Sequence, residues 1–555
     1  MASMSKWARG AALLGLAALT VKLLGAVQKI PFQNLAGDAA FGLYSAVYPL
    51  YSILLVLATS GYPVAISKFV SEYTLAGDRQ AARRTVRLAA ACMAGAGVAG
   101  FALLYGGAET AASWIGSPAA ASSIRAVSWS LLLMPWLAAI RGYEQGMGRM
   151  GASAASQVVE QTARVVFMVG SVIVLTARGA DAQTLSAAAL LGSAVGGACA
   201  MASLLPVWLR GRGELRTRRE TAAAASGAAE AFAGGRRARG SAAVPLLKRF
   251  LAYALPVSFA SAALPLVFLT DSFTLLHLLR DYGLTPEQSL ASFGVYQRGV
   301  PLVQLIVMTA AAAGGALVPA IAQYASSGRT AEAERTAGTA LRLALWGGLA
   351  AAAGLALISG SANMMLYGNG DGSGVMALMA LSAWFAVLHA VSGSILQGFG
   401  DVAAPARSLA VASLLKLALN AALVPALGLA GASLALVAAY ALAAAMQLAA
   451  LRRRVPLRAA GRRAAAWLAS VAAMAAAAAA AEYGLTAVLH GAGWGPRATA
   501  TLAALGAMGA GAAALAASAL RLGEVREPEL AALAGERAAA LAASLRRWRL
   551  LPRER

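Results

Sequence analysis

Apolar runs of 18 residues or more recur along the whole of this 555-residue chain, each long enough to cross about 30 Å of hydrocarbon at 1.5 Å of rise per residue. Lipid cannot satisfy exposed backbone groups, so runs of this kind can fold only as membrane-spanning helices. Fourteen are distinguished, covering residues 10–27, 44–64, 86–106, 127–140, 158–177, 184–209, 250–275, 295–322, 337–359, 375–397, 408–427, 429–450, 464–481 and 498–520. The fourth is broken by Pro135, and little more than Gly428 separates the eleventh from the twelfth. Charged residues make up 12% of the chain, against about 25% in soluble domains, and the mean hydropathy is +0.67. The expectation is an all-α polytopic membrane protein of about 14 transmembrane helices, with no soluble catalytic domain left over.

Lys and Arg in short loops stay on the cytoplasmic side. With the N-terminus inside, the inside segments hold Lys68, Arg79, Arg83, Arg84, Arg87, Arg141 and Arg149, the run from Arg210 to Arg249, then Arg329, Arg335, Arg342 and the stretch Arg452 to Arg463. The outside loops hold only Lys29, Arg125, Arg178, Arg280 and Arg497. Both termini are therefore expected in the cytoplasm. The same bias, with contacts to anionic membrane lipids, accounts for most of the net charge of +23, so nucleic acid is not indicated as a partner. The N-terminal run continues past Lys22 without a cleavage site and reads as the first helix rather than a signal peptide.

The division expected is a six-helix bundle over residues 1–209, a basic cytoplasmic linker over 210–249, a second six-helix bundle over 250–451, a basic loop with two extra helices over 452–520, and an amphipathic cytoplasmic tail over 521–555. A short echo relates the bundles. RGYEQGMGRMGASAASQ from Arg141 and GSILQGFGDVAAPARS from Gly393 each place a glutamine, Gln145 or Gln397, before Gly-x-Gly and a small-residue loop. The match is parallel, fourth helix to fourth helix, and implies halves related by an axis along the membrane normal.

Ionisable residues inside apolar runs are costly and mark function by default. Glu160 and Arg164 lie four apart and share a helix face, so they form either a structural ion pair or a cavity-lining pair that exchanges partners. Asp271 and Arg298, near the outer ends of the seventh and eighth helices, are placed to pair with each other. Lys22 and Lys416 have no acid within a helical turn; each either snorkels to an interface or presents charge to an anionic cargo. The set leans cationic, which favours an anionic cargo over a cationic one. His277 and His389 lack metal spacing, and Cys92 and Cys199 read as small packing residues. With neither a Walker A pattern nor HExxH, no catalytic role and no cofactor is indicated, and the energy for transport falls to a monovalent cation gradient, the membrane potential or the cargo's own gradient.

The segment GLYSAVYPLYSILLVLATSGYPVAISKFVSEY from Gly42, with RGYEQGMGRMGASAASQVVEQTARVV from Arg141, YGNG from Tyr367 and QGFGD from Gln397, closely resembles the stage V sporulation protein B and YtgP-type branch of the polysaccharide exporters. These belong to the multidrug, oligosaccharidyl-lipid and polysaccharide (MOP) exporter superfamily, with the MurJ-type flippases. The resemblance implies two six-helix bundles in a V around a central cavity, alternating access, and an undecaprenyl-diphosphate-linked cargo, lipid II foremost. It implies Lys22, Lys68, Glu160, Arg164 and Arg298 as substrate-binding residues, and Asp271, Arg141, Gln145, Gln397 and Lys416 in gating or coupling. The cavity arginines of MurJ-type relatives are matched here in charge and only loosely in place. Two other readings stay open: an ion-coupled multidrug antiporter, for which the first helix offers Lys22 rather than an acid, and a non-transporting scaffold of sporulation or division.

Overall fold

A computed structural model describes residues 6–76, 78–225, 243–452, 454–455 and 461–522. Among them the chain forms helices and no strand. Thirteen stretches are long and apolar enough to span a membrane. The first, Leu13–Leu75, has 63 residues, roughly 95 Å of helix and enough for two crossings, which reconciles this number with the fourteen runs read from the sequence.

The chain divides into two compact units, Met1–Gly294 and Val295–Arg555. The first holds α1 (Lys6–Val27), α2 (Lys29–Thr59), α3 (Gly61–Leu75), α4 (Arg79–Gly106), α5 (Ala108–Ile115), α6 (Ala120–Ser128), α7 (Ser130–Gly146), α8 (Met150–Ala177), α9 (Ala182–Ala225) and α10 (Ala243–Asp281). The chain passes between the units within α11 (Pro286–Gln297). The second holds α12 (Gly299–Ser326), α13 (Thr330–Leu357), α14 (Ser359–Tyr367), α15 (Ser373–Gly398), α16 (Ala404–Leu427), α17 (Leu429–Leu451), α18 (Gly461–Gly491) and α19 (Pro496–Arg521).

Three features differ from the sequence expectation. Residues 29–36, read as a loop, are helical, because Phe32 packs with Phe41 and Tyr44 at ring separations of 6.2 and 5.2 Å; the break comes instead at Gly37, whose φ of 78° and ψ of 174° are not helical. Residues 210–225 of the expected linker continue α9 as helix. The boundary between compact units falls at Gly294 rather than in the linker, since α10 packs on α2 and α3 of the first unit through Tyr62, Phe69 and Phe250. Residues 453 and 456–460 of the basic loop and the tail beyond residue 522 lie outside the described residues.

In the first unit α7 is central, with α3, α4, α8 and α9 around it. In the second α15 takes that place among α12, α13, α16 and α17, with Leu341, Val387, Leu388, Ile395 and Leu451 in the core. The two arrangements repeat at a constant spacing along the chain. The left-handed glycine after α5, Gly116, falls on Gly368 after α14, and the turn glycine Gly148 after α7 falls on Gly400 after α15. Helix contacts repeat as well: a Cβ on Gly146 would lie 2.8 Å from Val70 Cβ and 2.9 Å from the Ser67 carbonyl oxygen, and one on Gly398 would lie 2.9 Å from Ile321 Cβ and 3.2 Å from the Val318 carbonyl oxygen. Only glycine permits helices this close, so the same residue type recurs where the same crossing recurs. The glutamine echo is thus the visible part of a longer repeat.

The last two helices pair with each other and pack on α13 and α14. Trp346 and Trp467 stack at 5.9 Å, nearly parallel, the Ser361 hydroxyl donates to Glu482 of α18, and Arg497 donates to the carbonyls of Met365 and Leu366 at 3.1 and 3.2 Å.

Candidate functional site

Glu160 and Arg164 stand on one face of α8, and the i,i+4 spacing brings Arg164 Nη2 to 2.9 Å from Glu160 Oε1. The second carboxylate oxygen is engaged as well: Arg141, reaching across from α7, places Nη1 2.9 Å from Glu160 Oε2. The three side chains are only 14%, 13% and 11% exposed for Arg141, Glu160 and Arg164. Two guanidiniums share a single carboxylate, leaving one positive charge in excess at a site where solvent screening is weak.

Hydrogen bonds around the cluster fix its geometry. Arg141 Nε donates to Ser156 Oγ at 2.8 Å, Ser156 Oγ donates to the Ser153 carbonyl, and Gln145 Nε2 donates to Ser153 Oγ at 2.8 Å. Arg141 and Gln145, one helical turn apart on α7, are in this way both tied to the first turns of α8. On the other side Arg164 Nη1 lies 3.4 Å from Gln161 Oε1, and Gln161 Nε2 donates to Gln28 Oε1, between α1 and α2, at 3.2 Å. A Cβ on Gly25 of α1 would lie 3.5 Å from Gln161 Nε2, so α1 approaches α8 closely here. Two donors remain unspent: Arg141 Nη2 and Arg164 Nε are buried and have no protein hydrogen-bond partner. Leaving a buried donor unmet costs about 1–3 kcal/mol, more for a charged group, and an anionic oxygen would relieve that cost.

A face of α2 completes the surroundings. Tyr44, Tyr48 and Tyr51, at i, i+4 and i+7, pack ring on ring at 5.7 and 6.1 Å and lie within electrostatic reach of Arg164. The spacing in GLYSAVYPLYS announces this stripe; sequence reasoning did not assign it to the site.

Lys22 is exposed on α1, three residues before Gly25 and so on the adjoining part of the helix surface. Lys68 is exposed on α3 with its ammonium 4.4 Å above the Tyr253 ring, a cation–π contact. Asp271 is buried in α10. Gln397 is exposed at the end of α15, and Lys416 is fully buried in α16.

Arg298, expected to offer charge to a cargo, is wholly buried in the second unit. Its Nη1 lies 2.5 Å from Asn369 Oδ1, 3.5 Å from Asn363 Oδ1 and 3.4 Å from the Asp371 carbonyl. Its guanidinium sits 5.3 Å from the Tyr367 ring centre, while Tyr367 Oη donates to the Arg298 carbonyl at 2.8 Å. The residue pins the turn from α14 to α15.

The internal repeat places these residues in pairs. At the spacing that takes Gln145 to Gln397, Ser156 falls on Ser408, Arg164 on Lys416, Glu160 on Ala412 and Arg141 on Gly393. The second unit keeps a cation and a serine but no carboxylate. Its Ser408 instead accepts from Gln447 Nε2 at 3.0 Å and lies 3.1 Å from His389 Nε2, which gives His389 a structural place. Among the described residues no cluster of His, Cys, Asp and Glu is arranged to hold a metal ion.

A fold of two related helical units with an arginine-rich site in the first defines a transporter-like membrane protein. The family described as polysaccharide biosynthesis protein matches residues 7–325, and the chain belongs to that family. It is 32% identical over 446 residues to the uncharacterized membrane protein YabM of Bacillus subtilis (strain 168), covering 80% of each chain. It is also 26% identical over 455 residues to the lipid II flippase MurJ of the same organism, covering 79% of this chain and 80% of that one. Among solved structures, an inward-facing multidrug resistance MATE family transporter of the MOP superfamily shares the fold with a TM-score of 0.62 at 15% identity, over 80% of this chain and 98% of that one. The lipid II flippase MurJ in an inward closed conformation shares it with a TM-score of 0.59 at 12% identity, over 89% and 97%.

Proposed function

We propose that this protein is a flippase that carries a polyprenyl-diphosphate-linked glycan, lipid II foremost, across the cytoplasmic membrane by alternating access, with both termini in the cytoplasm. The observation that carries this reading is the pair of unspent guanidinium donors in the cluster Arg141–Glu160–Arg164. A diphosphate supplies the charge and the acceptor oxygens that Arg141 Nη2 and Arg164 Nε lack, and arginine suits phosphate better than lysine does because its donors are fixed in a plane. Lys22, on the neighbouring part of α1, adds a second source of positive charge on the approach to the cluster. Similarity to a lipid II flippase over most of both chains supports the same reading. The sign of the cluster weighs against a multidrug cation exporter, because its single carboxylate is already held by two arginines.

The test is complementation of a bacterial strain depleted of its own lipid II flippase, with membrane levels matched. The wild type should restore growth, and Arg141→Gln combined with Arg164→Gln should not. Growth restored equally by that double variant would refute the diphosphate role, whereas failure of the wild type at good expression would move the cargo to another polyprenyl-linked glycan.

A further inference from the structure

Glu144 lies one helical turn beyond Arg141 on α7, and its side chain is completely buried. Neither carboxylate oxygen has a hydrogen-bond partner. Arg149, at the N-terminus of α8 and one-third exposed, places Nε 3.1 Å from Glu144 Oε2, without the alignment of a hydrogen bond. The other described charged groups on the helices packed around α7 make no ion pair with Glu144. Glu160 and Arg164 bind each other, Arg125 binds Glu109, Lys68 lies over Tyr253, and Glu72, Arg84 and Arg87 form no ion pair with Glu144. Residues 182–207 of α9 carry no ionisable side chain other than Cys199. On α7 itself, Arg141 is turned to Glu160 and Ser156. Among the described side chains, Arg149 alone forms an ion pair with Glu144.

The repeat shows that the architecture does not need an acid here. The residue in the place of Glu144 in the second unit is Leu396, 1% exposed in the corresponding helix end, and the residue in the place of Arg149 is Asp401. Asp401 accepts from the Ala404 amide at 3.1 Å and pairs with Arg407 at 3.1 Å, as a helix cap does. The second unit therefore closes the same turn with an aliphatic residue and a cap, while the first carries a dry, under-bonded carboxylate against a half-open arginine. A carboxylate so placed is costly when charged and comfortable when protonated. The turn between them, Gln145 to Gly148, is closed by the bond from the Arg149 amide to the Glu144 carbonyl at 2.8 Å, and Gln145 holds Ser153 beside the seat of Arg141.

We infer that Glu144 is a proton-binding site that sets the state of the α7–α8 turn. As the carboxylate takes a proton from water it loses its ion pair, Arg149 is released to solvent, and the turn that seats Arg141 loosens; loss of the proton restores the closed turn. The site is independent of the cargo and requires no other ligand.

The test is hydrogen exchange of the purified full-length protein in lipid nanodiscs, read by mass spectrometry over residues 145–150 between about pH 5 and pH 8 and corrected for intrinsic exchange. Wild type should lose protection roughly tenfold as pH falls, the factor given by one lost charge-assisted contact of about 1.4 kcal/mol. Glu144→Gln should show the low protection at every pH. Arg149→Gln should likewise show the low protection at every pH, since the carboxylate then has no ion pair with which to hold the turn closed. A wild-type profile without a step, or the same step retained in Glu144→Gln or Arg149→Gln, overturns the inference. Because no cargo is used, this result stands apart from the fate of the flippase reading.

Discussion

Removing Glu160 should damage the protein far more than removing either of its arginines. In an isolated i,i+4 pair, loss of either partner strands the other, and breaking a buried pair in that way costs about 3–5 kcal/mol. The geometry here is a shared carboxylate, with Arg141 and Arg164 each 2.9 Å from a different oxygen. Arg164→Gln leaves Glu160 bound to Arg141, and Arg141→Gln leaves it bound to Arg164, so each loses about one charge-assisted hydrogen bond, roughly 1.5–3 kcal/mol. Glu160→Gln leaves two guanidiniums facing one another with no anion, at the full cost of a stranded buried charge or above it. The side chains are 11–14% exposed, so screening takes little from these values. The assay is thermal inactivation of the detergent-solubilised variants, followed by size-exclusion chromatography. The expected order of midpoints is wild type, then the two arginine variants close together, then Glu160→Gln well below. Exchanging the pair as Glu160→Arg with Arg164→Glu should also fail, because it sets Arg141 against a new arginine. Equal losses for Arg164→Gln and Glu160→Gln, or no loss for Arg141→Gln, would refute the shared carboxylate.

Other consequences follow from the same structure. Gly146→Ala and Gly398→Ala should each destabilise by about 1–3 kcal/mol through overpacking at equivalent helix crossings, read as similar drops in thermal midpoint; a loss in one half alone would argue against the structural repeat. Arg298→Ala should open the turn between α14 and α15 and raise its proteolytic cleavage, leaving the first unit's protection unchanged, and unchanged cleavage would show that the asparagine contacts do not hold the turn. Lys22→Ala, at an exposed position, should change stability by no more than about 0.5 kcal/mol, read as a nearly unchanged thermal midpoint, while lowering complementation, and a matching fall in both would make Lys22 a structural residue.

How much of this was legible in the sequence depended on whether the deciding contact was local. The Glu160–Arg164 pair is readable because four residues on a helix put side chains on one face. Arg141 as its third member is not, since that depends on how α7 packs against α8. Arg298 reads from the sequence as a partner for Asp271 and a cation for the cargo, and its contacts with Asn363, Asn369 and Tyr367 are not legible there because they lie more than sixty residues away along the chain. The helical stretch at 29–36 was hidden by its polar residues and recovered only through the buried contact of Phe32 with Phe41 and Tyr44. The glutamine echo revealed the repeat, and its extension to Arg164 with Lys416 required the helix ends and turn glycines to fix the register. Glu144 sits inside the same quoted motif, yet an acid near Arg149 reads as a surface pair until its burial and its counterpart Leu396 are seen.

The most direct test of the central claim is binding of undecaprenyl diphosphate to the purified protein, compared with undecaprenyl monophosphate, in wild type and in Arg164→Gln. The account predicts that the wild type prefers the diphosphate and that Arg164→Gln loses at least roughly tenfold in affinity for it, the equivalent of about 1.4 kcal/mol. Equal affinity of wild type and variant for the diphosphate would contradict the assignment of the arginine cluster as the site that holds it.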